Sequence, residues 1–102
     1  MATVHVELSR ADVRADTGAT LPTLKSKAMR AETLTSTATS APGTLVARAG
    51  EIWSVTAIDG AIWIDFGTAP DAAAATVQRI VLQGQTRDFG AAVGDKIAIR
   101  SF

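Results

Sequence analysis

The chain contains no cysteine, no tyrosine, no asparagine and a single histidine, His5. Without cysteine it has no disulfides, no thiolate metal sites and no thiol nucleophile. With one histidine, a His-based triad or a multi-histidine metal centre is hard to assemble. An excess of either charge is also missing: ten basic residues balance ten acidic ones, for a formal net charge of zero. General affinity for nucleic acid needs a basic excess that displaces counterions from phosphates, so nucleic acid is not an expected partner. No window approaches the roughly 20 consecutive apolar residues of a membrane-spanning helix. The longest uncharged run, residues 33–47, is threonine-rich and interrupted by Pro42-Gly43. The opening residues, MATVHVELSRADVRAD, carry a charge every few positions and no apolar stretch of export length. The expectation is synthesis and folding in a cytoplasm, with no membrane insertion.

What is present is enough for one domain. A chain of 102 residues, 47% of them hydrophobic, can bury roughly 60–70% of its unfolded surface without staples. Residues 1–27 hold one short alternating stretch followed by a polar segment, and read as an N-terminal strand with an extended arm. Residues 28–102 carry short β-like runs punctuated by glycine, proline and aspartate, the texture of a sandwich or barrel. The clearest helical stretch is residues 70–77, PDAAAATV, with proline and aspartate suited to a first turn but only about two turns of length.

The strongest local pattern is EIWSVTAIDGAIWIDFGT, where Asp59-Gly60 separates two alternating apolar runs. A two-residue Asp-Gly loop favours a type I′ hairpin, which would set Ala57 opposite Ile62, Val55 opposite Ile64 and Trp53 opposite Phe66. Trp53, Val55, Ala57, Ile62, Ile64 and Phe66 then share a core face, while Ser54, Thr56, Ile58, Ala61, Trp63 and Asp65 share the other. Further strands are expected at residues 3–8, 30–37, 44–49, 79–82 and 96–102, with Val93-Gly94-Asp95 as a tight turn into the last. The fold class is therefore all-β: a compact antiparallel sandwich or barrel of about seven strands with one short helical turn.

Few residues point to chemistry. The eight glycines form no GxGxxG or GxxxxGK pattern and read as turn residues. Asp59, Asp65, Asp71 and Asp88 are scattered, and aspartate beside turns ordinarily accepts local backbone amides, so no catalytic pair is expected. His5 stands beside Thr3 and Glu7 on the polar side of the first strand, without companions for a metal site. No enzyme activity, cofactor or metal is expected. Lys25, Lys27 and Arg30 form a local positive cluster, which reads either as a solvated linker or as a contact for an acidic protein surface. Trp63 lies away from the core face, and tryptophan is enriched at interface hot spots; it reads either as a partner contact or as a residue covered by the protein's own chain.

The stretch from Arg30 onward resembles small virion proteins of tailed bacteriophages and related prophages. The resemblance is carried by RAETLTSTATSA, AGEIWSVTA, AIWIDFGTAPDAAAA and GQTRDFGAAVGDKIAIRSF. Within these segments it rests on Phe66-Gly67-Thr68 with Pro70, on Thr86-Arg87-Asp88-Phe89, and on Gly94-Asp95-Lys96-Ile97-Ala98. It implies a non-enzymatic capsid decoration (cement) protein, a homotrimer on the outer capsid surface of the virion that stabilises contacts between major capsid protein subunits. For such a role the candidate contact residues are Trp63 and the positive cluster Lys25, Lys27 and Arg30, with Arg87 and Phe89 as lesser candidates. The alternatives are a head–tail connector, tail or fibre component, or a carbohydrate- or host-surface-binding module on the virion.

Overall fold

The computed structural model describes residues 2–13, 20–24, 30–73 and 79–102. Ten strands follow in order: β1 (Thr3–Ser9), β2 (Ala11–Val13), β3 (Thr20–Leu24), β4 (Arg30–Thr35), β5 (Ala41–Pro42), β6 (Ile52–Ala57), β7 (Ile62–Gly67), β8 (Arg79–Val81), β9 (Thr86–Gly90) and β10 (Lys96–Ser101). Eight of them make two antiparallel four-stranded sheets, one ordered β4-β1-β6-β9 and the other β5-β10-β7-β8. The remaining two, β2 and β3, pair only with each other as a separate ribbon. The fold is an all-β sandwich. Among the described residues there is no helix; of the expected turn at 70–77, residues 74–77 lie outside the description.

Alternation predicts the core. Val4, Val6 and Leu8 of β1 and Trp53, Val55 and Ala57 of β6 are buried from the first sheet. Ile62 and Ile64 of β7, Val81 of β8, and Ile97 and Ile99 of β10 meet them from the second. Burial alternates along β1 from Thr3 to Leu8 and at the start of β7, as the pleat requires, while β6 and β10 also bury Ser54 and Ala98 on their other face. Phe66 and Phe89 close one side of this core: the Trp53 and Phe66 rings are 5.5 Å apart and those of Phe66 and Phe89 5.1 Å apart. The indole N–H of Trp53 is buried with no hydrogen-bond partner among the described residues, so apolar contact is what holds the ring.

The Asp59-Gly60 hairpin does not form. β6 pairs with β1 and β9, and β7 pairs with β10 and β8, so the chain crosses from one sheet to the other at residues 58–61. Neither Asp59 nor Gly60 has positive φ, whereas a type I′ turn needs it at both central positions. The carboxylate of Asp59 instead accepts the Thr3 amide and hydroxyl, while the Ile58 amide donates to the Thr3 carbonyl, tying the corner to β1. The predicted core face survives because residues expected side by side in one sheet meet across two. β8 and β9 repeat the crossing through residues 82–85, where Gly84 has φ of 76° and donates to the Ala57 carbonyl. The two crossings stack, β6 on β9 and β7 on β8.

Other expectations shift more modestly. Residues 44–49 are not a strand; they hang on the turn before β10 through Ala47 N–H to the Asp95 carbonyl and Gly94 N–H to the Ala47 carbonyl. Gly94, with φ of 86°, makes the expected tight turn, and Asp95 closes it by accepting the Ala92 amide. β9 has one apolar side chain, Phe89, and so carries little strand patterning in sequence.

The sandwich reading predicts unequal costs on its two kinds of face. Ile64→Ala, at the centre of the core, should lower unfolding free energy by about 2–5 kcal/mol. Thr35→Ala, exposed on β4, should stay within about 0.5 kcal/mol. Urea unfolding of the two variants beside the parent chain checks this.

Candidate functional site

Most of the described carboxylates are engaged in the fold. Glu32 accepts the Thr44 and Leu45 amides and the Thr44 hydroxyl. A Cβ at Gly43 would run into that carboxylate, which explains the glycine there. Asp65 accepts the Asp71 amide at 2.9 Å, and Asp71 that of Ala73 at 2.9 Å. Asp59 and Asp95 hold the corner and turn described above. His5 sits between Glu7, at 3.1 Å, and Thr33, at 3.4 Å, on the outer face of the first sheet. Among the described residues no three His, Asp or Glu side chains converge on a point. No described helix is long and apolar enough to cross a membrane.

Of the six residues expected to contact a partner, the four described fall in three places, with Arg87 and Phe89 together. Lys25 and Lys27 lie outside the described residues. Arg30 is on β4 with its side chain turned toward Glu51, which is almost fully buried. Its guanidinium donates to the Glu51 carboxylate and, at 2.8 Å, to the Val46 carbonyl; the same carboxylate accepts the Arg48 amide. Arg30 therefore anchors the segment before β6 to the edge of the sandwich. Its sequence neighbours gave no hint of this, because Glu51 is 21 positions away.

Trp63 is on the outer face of the second sheet, with Ile80 beside it on β8 and Arg100 on β10. It is half-buried, and its covering is the C-terminal Phe102, whose ring lies 5.3 Å away, tilted by 40°. Phe102 is itself 73% exposed. Its own chain thus shields one side of Trp63, and the shield is an open aromatic ring. The opposite end of this face is covered, since Ala72 and Ala98 are buried and the Ala72 carbonyl accepts Arg100 Nε. Exposed Leu82 and Ile58 lie at the same end of the sandwich as Phe102. An open pocket of about 260 Å³ there is lined by Ala2, Asp59, Gly60, Ala61, Ser101 and Phe102. That is below the range of about 300–1,000 Å³ of small-molecule sites.

Arg87 and Phe89 lie together on β9, with their side chains toward the interior at the edge of the sandwich. Arg87 reaches across to the Ile80 carbonyl on β8 at 2.8 Å. Its guanidinium also stands 5.1 Å from the Phe89 ring centroid, and Arg79 stands 5.8 Å from the same centroid. Arg79 carried no sequence pattern of its own; only the approach of β8 to β9 reveals it.

Comparison of the chain with protein-family models, with curated proteins and with solved structures gives no match in any of the three.

The two classes of arginine should separate in stability. Arg30→Ala leaves the Glu51 carboxylate buried and unpaired and should cost about 2–4 kcal/mol. Arg79→Ala, at an exposed position, should cost less than about 1 kcal/mol. Chemical denaturation midpoints of the two variants distinguish the roles.

Proposed function

We propose that this protein is a non-enzymatic structural component of a phage virion, binding the outside of the capsid and stabilising contacts between major capsid protein subunits. The observation that carries the proposal is the open Trp63–Phe102 pair on the outer face of the second sheet, in a sandwich whose described carboxylates are mostly spent on its own backbone. Large aromatic side chains left at a surface supply contact area at low entropic cost and concentrate binding energy. The sequence resemblance of residues 30–102 to small virion proteins supplies the partner class. The β2–β3 ribbon, paired with neither sheet, supports a role for the N-terminal segment in attachment. Binding is by mass action: the protein prefers the assembled shell to free subunits and so stabilises the shell, and trimeric clustering would multiply weak contacts through effective concentration.

The test is co-sedimentation of the protein with assembled heads, followed by stoichiometry. Hundreds of copies per particle support decoration; a few dozen or fewer point to a connector, tail or fibre component, and absence from particles overturns the virion reading. Trp63→Ala should weaken attachment by about thirtyfold or more while the isolated domain still unfolds cooperatively. Glycan binding that is lost in the same variant would replace cementing by a carbohydrate-binding role.

A further inference from the structure

The two outer strands of the first sheet, β4 and β9, end it differently. At β4 the inward-pointing charges are spent: Arg30 on Glu51, Glu32 on the amides of Thr44 and Leu45. At β9 they are not. Arg79 has no ion pair or hydrogen bond among the described residues, and Arg87 uses one N–H, toward the Ile80 carbonyl, of the five donors a guanidinium carries. Both guanidiniums lean on Phe89, and apart from the Arg87 bond to Ile80 their N–H groups have no partner among the described residues. The outer edge of β9 pairs with no strand among the described residues. The two outer strands of the second sheet offer less: β5 has two residues, one of them Pro42, and β8 has three.

We propose that the free edge of β9 receives an extended acidic segment of a partner protein as an added strand, its carboxylates held by Arg79 and Arg87. Main-chain hydrogen bonds to an exposed edge provide affinity, and side chains on alternate residues provide selection. A residue placed opposite Arg87 on the added strand points to the same side as Arg87. Its neighbour two positions along, roughly 7 Å away, also points to that side, so a carboxylate at each position serves the two arginines. Guanidinium–carboxylate pairing is charge-assisted and can be bidentate, which suits a planar acid. A nucleic acid backbone fits less well: Asp88 is exposed on the same strand and the chain has no net positive charge. The proposal does not depend on the virion reading.

The experiment uses the full chain, isotopically labelled, titrated with a short peptide that alternates threonine with glutamate. The expected result is saturable binding with amide shifts and slowed hydrogen exchange centred on residues 86–90. The threonine–glutamine counterpart and the Arg79→Gln/Arg87→Gln double variant should each weaken binding by about tenfold or more. Arg79→Gln alone, at an exposed position, serves if the double variant does not fold. No binding, equal binding of the glutamine peptide, shifts away from β9, or tighter binding of a single-stranded oligonucleotide overturns the proposal.

Discussion

Everything in this molecule depends on two sheets that each have a single apolar face and must turn those faces toward one another. Val4, Val6, Leu8, Trp53, Val55 and Ala57 on one side and Ile62, Ile64, Val81, Ile97 and Ile99 on the other leave water together or not at all. Burying a large aliphatic or aromatic side chain is worth roughly 1.5–3 kcal/mol, so the pairing of faces outweighs any local turn preference. That balance explains the fate of Asp59-Gly60. A hairpin would have set both apolar runs on one face of one sheet, with nothing of comparable size opposite. Crossing between sheets lets the same residues bury against each other, and Asp59 then finds its hydrogen bonds at the start of β1.

A sandwich leaves two open sides, and this one closes each with an inward charge. On the β4 side Glu32 gathers the amides beyond β5, and Arg30 ties Glu51 and Val46. On the β9 side Arg87 bridges to β8 and the Phe66–Phe89 contact fills the gap. Inward charges also discourage unwanted edge-to-edge pairing, because an added strand would strand them unless it brings the opposite charge. Closure and protection of the edges therefore come from the same residues. The difference between the two sides is how completely the charges are satisfied within the chain.

Most of the described acidic side chains are engaged within the fold. Its aspartates and glutamates mostly cap turns and hold loops, and its one histidine rests on a hydroxyl and a carboxylate at the surface. The outer faces of the sheets differ in kind. The first carries a row of Thr33, His5, Thr56 and Thr86, with Thr56 and Thr86 hydroxyls 2.7 Å apart. The second carries Trp63 and Phe102, large rings that water solvates poorly. The two outer faces are therefore unequal, one hydrophilic and one aromatic.

The alternation of Val4-His5-Val6, of Trp53-Ser54-Val55 and of Ile62-Trp63-Ile64 was enough to determine the all-β class and nearly all of the core, because a pleated strand has a period of two whatever sheet it joins. It also determined that Trp63 faces away from that core. Which strands pair, and hence that Asp59-Gly60 is a corner, was decided only by the tertiary structure, since local turn propensity is small beside the burial of two faces. Tertiary structure likewise decided that Arg30 meets Glu51, that Phe102 leans on Trp63, and that Arg79 and Arg87 share Phe89. Each of those pairs but Arg87–Phe89 joins different strands or loops, and contacts of that range leave no periodic trace in the chain.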